Sequence, residues 1–271
     1  MIFIDTHCHL DAEEFDIDRD SVIHEAKKTG VDIIVVPAVH VSNFTKVRAL
    51  SEKYSFCAYA LGIHPIYVNQ ASPSHLELLK TEIEKDLKEN KSIVAVGEIG
   101  LDYFIEDCDK DCQEYYFVKQ LKIARDFDLP VILHVRKSVD EVLKHLRKIK
   151  VRGGIAHAFN GSIQQANEFV KLGFKLGFGG AMTYSRALKI RQLAVELPLD
   201  SIVLETDAPD IPPEWLGRSG RNGPGELIRI AQVFSDIRDT NITQVAEMTT
   251  NSALTALPGL VHLCTPPQVL L

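Results

Sequence analysis

The sequence predicts a (β/α)8 TIM barrel of the α/β class. Three observations carry this expectation. Eight short, apolar, β-branched runs recur along the chain, and helix-period stretches separate them. The 271 residues allow one large domain or two small ones, and α/β barrels run to roughly 250 residues as a single domain. Polar side chains able to bind metal cluster at the C-terminal ends of the runs, the face on which barrel active sites form.

The elements follow in order. The run Ile2–Asp5 leads to a helix at Arg19–Thr29, and Asp32–Pro37 leads to Ser42–Tyr54 with Ser42 as N-cap. Cys57–Gly62 precedes Pro73–Lys88 with Ser74 as N-cap, and Ile93–Gly97 precedes Lys110–Phe127. Val131–His134 precedes Ser138–Ile149. Gly154–His157 precedes Ser162–Leu172, where Ser162 and Gln165 have capping-box spacing. Phe174–Gly179 precedes Arg186–Glu196, and Ser201–Glu205 precedes Gly223–Arg238. A last helix near Ile242–Leu254 closes the domain. Several runs are nearly continuous in apolar residues, as strands buried on both faces should be. A doubly wound open sheet is the structural alternative, but no G-x-G-x-x-G turn follows the first run to support a dinucleotide version. One barrel domain over residues 1–257 is expected, then a short tail over 258–271. That tail carries Pro258, Pro266 and Pro267 and is expected to pack loosely.

Composition narrows the function classes. Hydrophobic residues at 45% and charged residues at 25% rule out a disordered chain. The net charge of −7 argues against a protein that coats nucleic acid through bulk charge, though a local basic groove stays open. No segment approaches the ~20 apolar residues of a membrane span, and the N-terminus lacks signal-peptide character. Five scattered cysteines point to free thiols and a cytoplasmic location.

The chemistry sits at the strand ends. His7 and His9 follow the first run. Residues two apart on an extended strand share a side, so both imidazoles can grip one cation while Cys8 faces away. His64 follows the third run. Glu98 follows the fourth between glycines, where a two-oxygen carboxylate can bridge two cations. His134 and His157 end the fifth and sixth runs. Asp207 follows the eighth and is preferred over Glu205, its same-face neighbour, because it lies nearer the mouth. Arg136, Arg218 and Arg221 fall in loops on this face and suit an anionic substrate. His24, His40, His75, His145 and His262 read as surface or packing residues. Cys108 and Cys112 read as free thiols, and Gly177–Gly180 as a tight bend.

Six ordered segments resemble the TatD family of metal-dependent deoxyribonucleases, among the amidohydrolase-like barrels, and most closely its YjjV-like branch. They are Phe3-Ile4-Asp5-Thr6-His7-Cys8-His9-Leu10, Leu61-Gly62-Ile63-His64-Pro65, Val96-Gly97-Glu98-Ile99-Gly100-Leu101-Asp102, Pro130-Val131-Ile132-Leu133-His134, His157-Ala158-Phe159-Asn160-Gly161 and Leu204-Glu205-Thr206-Asp207-Ala208-Pro209. The resemblance runs from Phe3 to about Asn251. It implies a metal-dependent hydrolase with two divalent ions, one on His7, His9, Glu98 and Asp207, the other on Glu98, His134 and His157. Two departures stand out. Arg221-Asn222-Gly223-Pro224 has Gly where the family carries an acid, and Val135 stands where many relatives have Ser.

Two cations roughly 3.5–4 Å apart can clamp the attacking and leaving oxygens of a phosphoryl displacement and lower the pKa of water. Asp207 and Glu98 are the expected catalytic carboxylates, with Asp207 accepting a proton from water. His64 is expected either on a phosphate or sugar of the substrate or behind another ligand. Arg136 and Arg221 complete the expected substrate contacts. The mixed donors suit Zn²⁺, Mn²⁺, Co²⁺ or Fe²⁺, and the family resemblance adds Mg²⁺. The leading expectation is 3′→5′ exonuclease action on single-stranded DNA, bound weakly because few phosphates are neutralised. No membrane or obligate protein partner is expected. Hydrolysis of an amide or ester, including deacylation of aminoacyl-tRNA, is the alternative. A barrel serving only as an interaction module is the third.

Overall fold

The computed structural model describes residues 1–89, 91–106 and 108–264. Its eight strands are β1 (Ile4–Asp5), β2 (Ile33–Pro37), β3 (Cys57–Leu61), β4 (Ile93–Asp102), β5 (Val131–Arg136), β6 (Gly154–Ala156), β7 (Phe174–Phe178) and β8 (Ile202–Leu204). They form one sheet in sequence order with every neighbouring pair parallel. The helices are α1 (Arg19–Thr29), α2 (Phe44–Lys53), α3 (Pro73–Lys88), α4 (Lys110–Asp126), α5 (Val139–Lys148), α6 (Ile163–Lys171), α7 (Leu188–Glu196), α8 (Leu227–Ile237), α9 (Ile242–Ala256) and α10 (Val261–Cys264). The expected (β/α)8 barrel is therefore the architecture.

The sheet closes on itself between β8 and β1. The Thr6 amide donates to the Leu204 carbonyl at 3.1 Å. The Asp5 carboxylate then takes the Thr206 amide at 3.0 Å and the Thr206 hydroxyl at 2.6 Å. Asp5 is completely buried, which pushes its carboxyl up to about 7.

Period-two alternation divides the strands between two apolar layers. Ile33 and Val35 point into the barrel with Ala58, Ala60, Val94, Ile132, Ile155 and Val203. Ile34 and Val36 alternate with them and pack outward among the helices, with Tyr59, Leu61 and Leu133. The interior layer continues into Ala253, Ala256, Leu257 and Leu260. The stretch after Leu257, expected to pack loosely, thus contributes a fully buried leucine where it is described, through a 3₁₀ turn at Pro258–Leu260 and then α10. Residues 265–271 lie outside the described residues.

Element ends shift modestly. β4 extends to Asp102 rather than stopping at Gly97, because a register shift between Val96 and Ile99 carries pairing with β5 past Glu98. Ser42 and Ser74 do not cap. The turn before α2 is capped by His40, and α3 begins at Pro73 after Ser72. Ser162 and Gln165 do form the capping box, at 3.2 and 2.9 Å. Among the described residues, no helix is long and apolar enough to cross a membrane.

Gly154 shows how tightly β5 and β6 meet. Its φ is +143°, and a Cβ there would lie 1.9 Å from the Val131 carbonyl oxygen. Gly154→Ala is therefore expected to destabilise the barrel by about 2 kcal/mol or more. In thermal unfolding this would appear as a Tm fall of about 5 °C or more. An unchanged Tm would show that the β5–β6 seam relaxes freely.

Candidate metal centre at the barrel mouth

His7 and His9 leave the end of β1 in extended chain. The Cys8 amide donates to the Val35 carbonyl at 3.0 Å and its side chain is buried in the outer apolar layer. Both imidazoles consequently turn to the barrel axis, with Nε2 atoms 3.2 Å apart. Asp207 reaches the same point from beyond β8. Its amide donates to the His7 carbonyl at 2.8 Å and its φ is +56°, a strained conformation for a non-glycine residue. Glu98 arrives from inside β4 and is buried.

These side chains make two groups that share one carboxylate. Glu98 Oε2 lies 3.2 Å from His7 Nε2 and 3.4 Å from His9 Nε2. Asp207 Oδ1 lies 3.5 and 3.7 Å from the same two nitrogens. Glu98 Oε1 faces the other way, 2.9 Å from His134 Nδ1, 2.8 Å from His157 Nε2 and 3.4 Å from His64 Nε2. His7 Nε2, His9 Nε2 and Glu98 Oε2 lie 3.2–3.4 Å from one another, a spacing at which nitrogen and oxygen donors can share one ion, and Asp207 Oδ1 adjoins the two imidazoles. The first group therefore fits a divalent cation. The second surrounds one carboxylate oxygen with three imidazole nitrogens, and His64, Glu98 and His134 among them form a set that could hold the same kind of ion.

Two buried carboxylates stand behind the second group. Asp102 Oδ2 lies 3.0 Å from His134 Nε2, the nitrogen turned away from Glu98. Glu205 Oε1 accepts the Ala158 amide and lies 3.8 Å from His157 Nδ1. A carboxylate placed as Asp102 is fixes imidazole orientation and raises its basicity, whereas Glu205 stands beyond hydrogen-bond distance of His157 and burial raises its carboxyl to about 8. Glu205 fits only because position 177 is glycine: a Cβ there would meet its Oε2 at 2.1 Å. The Gly177–Gly180 bend is thus a close approach to Glu205. Sequence reasoning set Glu205 aside and left Asp102 unassigned. The signal for Asp102 was the period-two spacing Glu98, Gly100, Asp102 on one strand.

Electrostatics follow from burial and crowding. Burial opposes charge on Glu98, yet His157, His64 and His7 hold its carboxyl well below the usual range. Burial lowers His7, and the neighbouring His157 lowers it further. Burial also opposes charge on His9 and His157, but Glu98 and Asp207 raise them to about 9 and about 10. Asp207 is pushed up by burial. His64 is pushed down by burial, and its Nδ1 accepts the Ile66 amide at 3.1 Å. The neutral ring therefore carries its proton on Nε2.

The remaining expected residues divide. Arg136 lines the mouth, with its guanidinium 3.9 Å over the Phe104 ring. Arg221 does not line it. Its guanidinium is held by both oxygens of Asp18, at 2.8 and 2.6 Å, and by the Glu14 carbonyl. The next residue, Asn222, donates to the carbonyls of Thr206 and Asp210 at 2.7 and 2.9 Å, so this segment braces the loop that carries Asp207. His40, read as packing, also lines the mouth. His145 pairs with Glu114 at 2.9 Å, between α4 and α5.

Two expectations follow. Asp102→Asn removes the acceptor behind His134 and should weaken divalent-cation binding by about 10–100-fold, read by competition with a chromogenic chelator. Cations and protons compete for the His9 and His157 nitrogens, which are protonated up to about 9 and about 10. Cation affinity should therefore rise with pH from 6 to 9, with release of roughly two protons per chain at pH 7. Calorimetry in buffers of different ionisation enthalpy measures that release, and affinity independent of pH would contradict it.

Known proteins place the chain in a family. Residues 4–257 match the model of the TatD related DNase family. The metal-dependent hydrolase YjjV of Escherichia coli K12 is 42% identical over 93% of this chain and 96% of its own length. Human deoxyribonuclease TATDN3 is 32% identical over 96% of both chains. The crystal structure of YjjV superposes with a TM-score of 0.89 over 94% of this chain and 98% of that one. With the match spanning nearly the whole barrel, the chain belongs to the family of TatD-related DNases.

Proposed function

We propose that this protein is a two-metal phosphodiesterase that trims single-stranded DNA from its 3′ end. The observation that carries the reading is Glu98, whose Oε2 faces His7 and His9 while its Oε1 faces His134 and His157. In this reading His7, His9, Glu98 and Asp207 hold one divalent ion, and Glu98, His134 and His157 hold the other. Zn²⁺, Mn²⁺ and Co²⁺ suit these donors, and Mg²⁺ is kept as a working ion on family grounds. Such ions supply charge neutralisation of the phosphoryl group and a lowered pKa for water.

The chain's own groups do the rest. Asp207, raised by burial, accepts the proton of the attacking water. His64, with its proton on Nε2 beside Glu98 Oε1, donates a hydrogen bond to a phosphate oxygen. Arg136 at the rim attracts the backbone, and Lys137 and Lys189, which line the mouth and have no ion pair among the described residues, do the same. The cavity is 1910 Å³, larger than the roughly 300–1,000 Å³ of small-ligand pockets, and this favours a polymer over a small ester. All five cysteines are free, in keeping with a proposed cytoplasmic setting.

The test is cleavage of end-labelled single-stranded DNA by metal-stripped protein resupplied with Mg²⁺, Mn²⁺, Co²⁺ or Zn²⁺. Metal-dependent shortening from the 3′ end is expected, and Glu98→Ala should reduce it to background. The log–log salt slope should be shallow, about −2 if roughly three phosphates are neutralised. Protein that binds two ions and cuts no DNA would overturn the reading and direct the search to amide and ester substrates.

A further inference from the structure

Two large apolar side chains stand exposed at the mouth, Ile66 and Phe104, and the second has its own support. Phe104, the second residue beyond β4, is 56% exposed and lines the cavity. The Arg136 guanidinium covers one face of its ring at 3.9 Å. The backbone beneath is fixed. The Phe104 amide donates to Asp102 Oδ1 at 2.9 Å, and the Tyr103 amide donates to the Arg136 carbonyl at 2.8 Å. Asp102 is the carboxylate whose other oxygen holds His134. Ring, guanidinium and candidate ligand are thereby keyed to one buried acid. Arg136 lies two residues beyond His134 on β5, about 7 Å along the strand.

A half-exposed planar ring covered on one face by a guanidinium, in a mouth that Lys137 also lines, has the make-up of a base-stacking platform. We infer that Phe104, braced by Arg136, stacks the base of a nucleotide adjoining the scissile phosphate. This inference rests on the phosphodiesterase reading and deepens it. A base can reach such a ring only when it is unstacked from its neighbours, so Phe104 is the specificity-determining residue for unpaired strands. The stack is sequence-tolerant, because every base presents a π-face. Asp102 is the positioning residue that sets its distance from the metal centre.

The experiment measures steady-state cleavage of a single-stranded oligonucleotide by the metal-loaded wild type, Phe104→Ala and Phe104→Trp. Each is assayed on the full oligonucleotide and on versions with one abasic residue at each of the last four positions. Phe104→Ala should raise KM on the full oligonucleotide about tenfold, and Phe104→Trp should restore it. At one position, loss of the base should raise the wild-type KM by a similar factor and leave no further effect of Phe104→Ala. An unchanged KM for Phe104→Ala, or an equal penalty on every abasic substrate, overturns the inference while leaving the nuclease intact. Wild-type protein that cuts none of these DNAs overturns the phosphodiesterase reading, and the inference falls with it.

Discussion

A fully buried carboxylate at the top of a parallel barrel is the constraint on which the mouth depends. Glu98 has no solvent to stabilise its charge, and an isolated buried anion is costly. The chain answers by surrounding it with imidazoles on both oxygens. Without cations the charge is balanced by protons on His9 and His157, both raised far above a free imidazole. The donor atoms already converge on Glu98 in this structure, so the groups that could hold a cation are preorganised rather than assembled on demand.

The barrel separates stability from chemistry along its axis. Its lower interior is filled by Ile33, Val35, Val94, Ile132 and their neighbours, closed beneath by Leu257 and Leu260. The upper interior holds titratable groups that contribute little apolar burial. Strain collects there too. Asp207, Ala158 just after His157, and Lys137 just after Arg136 all have positive φ. Such conformations cost of order 1–3 kcal/mol each and persist only where surrounding structure enforces them. Here the enforcement is visible in bonds such as Asp207 amide to His7 carbonyl and Asn222 to the Thr206 carbonyl.

The strands and the cluster of inward-facing candidate ligands were legible because buried parallel strands read as apolar runs, and a polar residue ending such a run has few other reasons to be there. His7, His9, Glu98, His134, His157 and Asp207 all follow that rule. The supporting shell was less legible. Asp102 is hidden by a register shift that carries β4 past its apolar run, and Glu205 ends a strand beside a more obvious acid. Arg221 misled because loop arginines have no periodicity, and only the fold reveals that Asp18 claims it. The stretch after Leu257 misled because prolines mark a turn without saying what the following leucine meets.

Charge and shape assign different tasks at the mouth. The chain is acidic overall, and Asp11, Glu13, Glu14, Asp140 and Asp210 line the cavity alongside its few cations. A polyanion gains little from such a surface except where Arg136 and Lys137 stand beyond β5 and where Lys189 stands on α7. Affinity drawn from bulk charge would make every duplex a competitor, whereas a cationic edge beside a stacking ring favours an end or gap with an accessible base. On the proposed reading weak electrostatics are part of the selectivity, and lysines added at the mouth would raise the binding of duplex DNA relative to single strands.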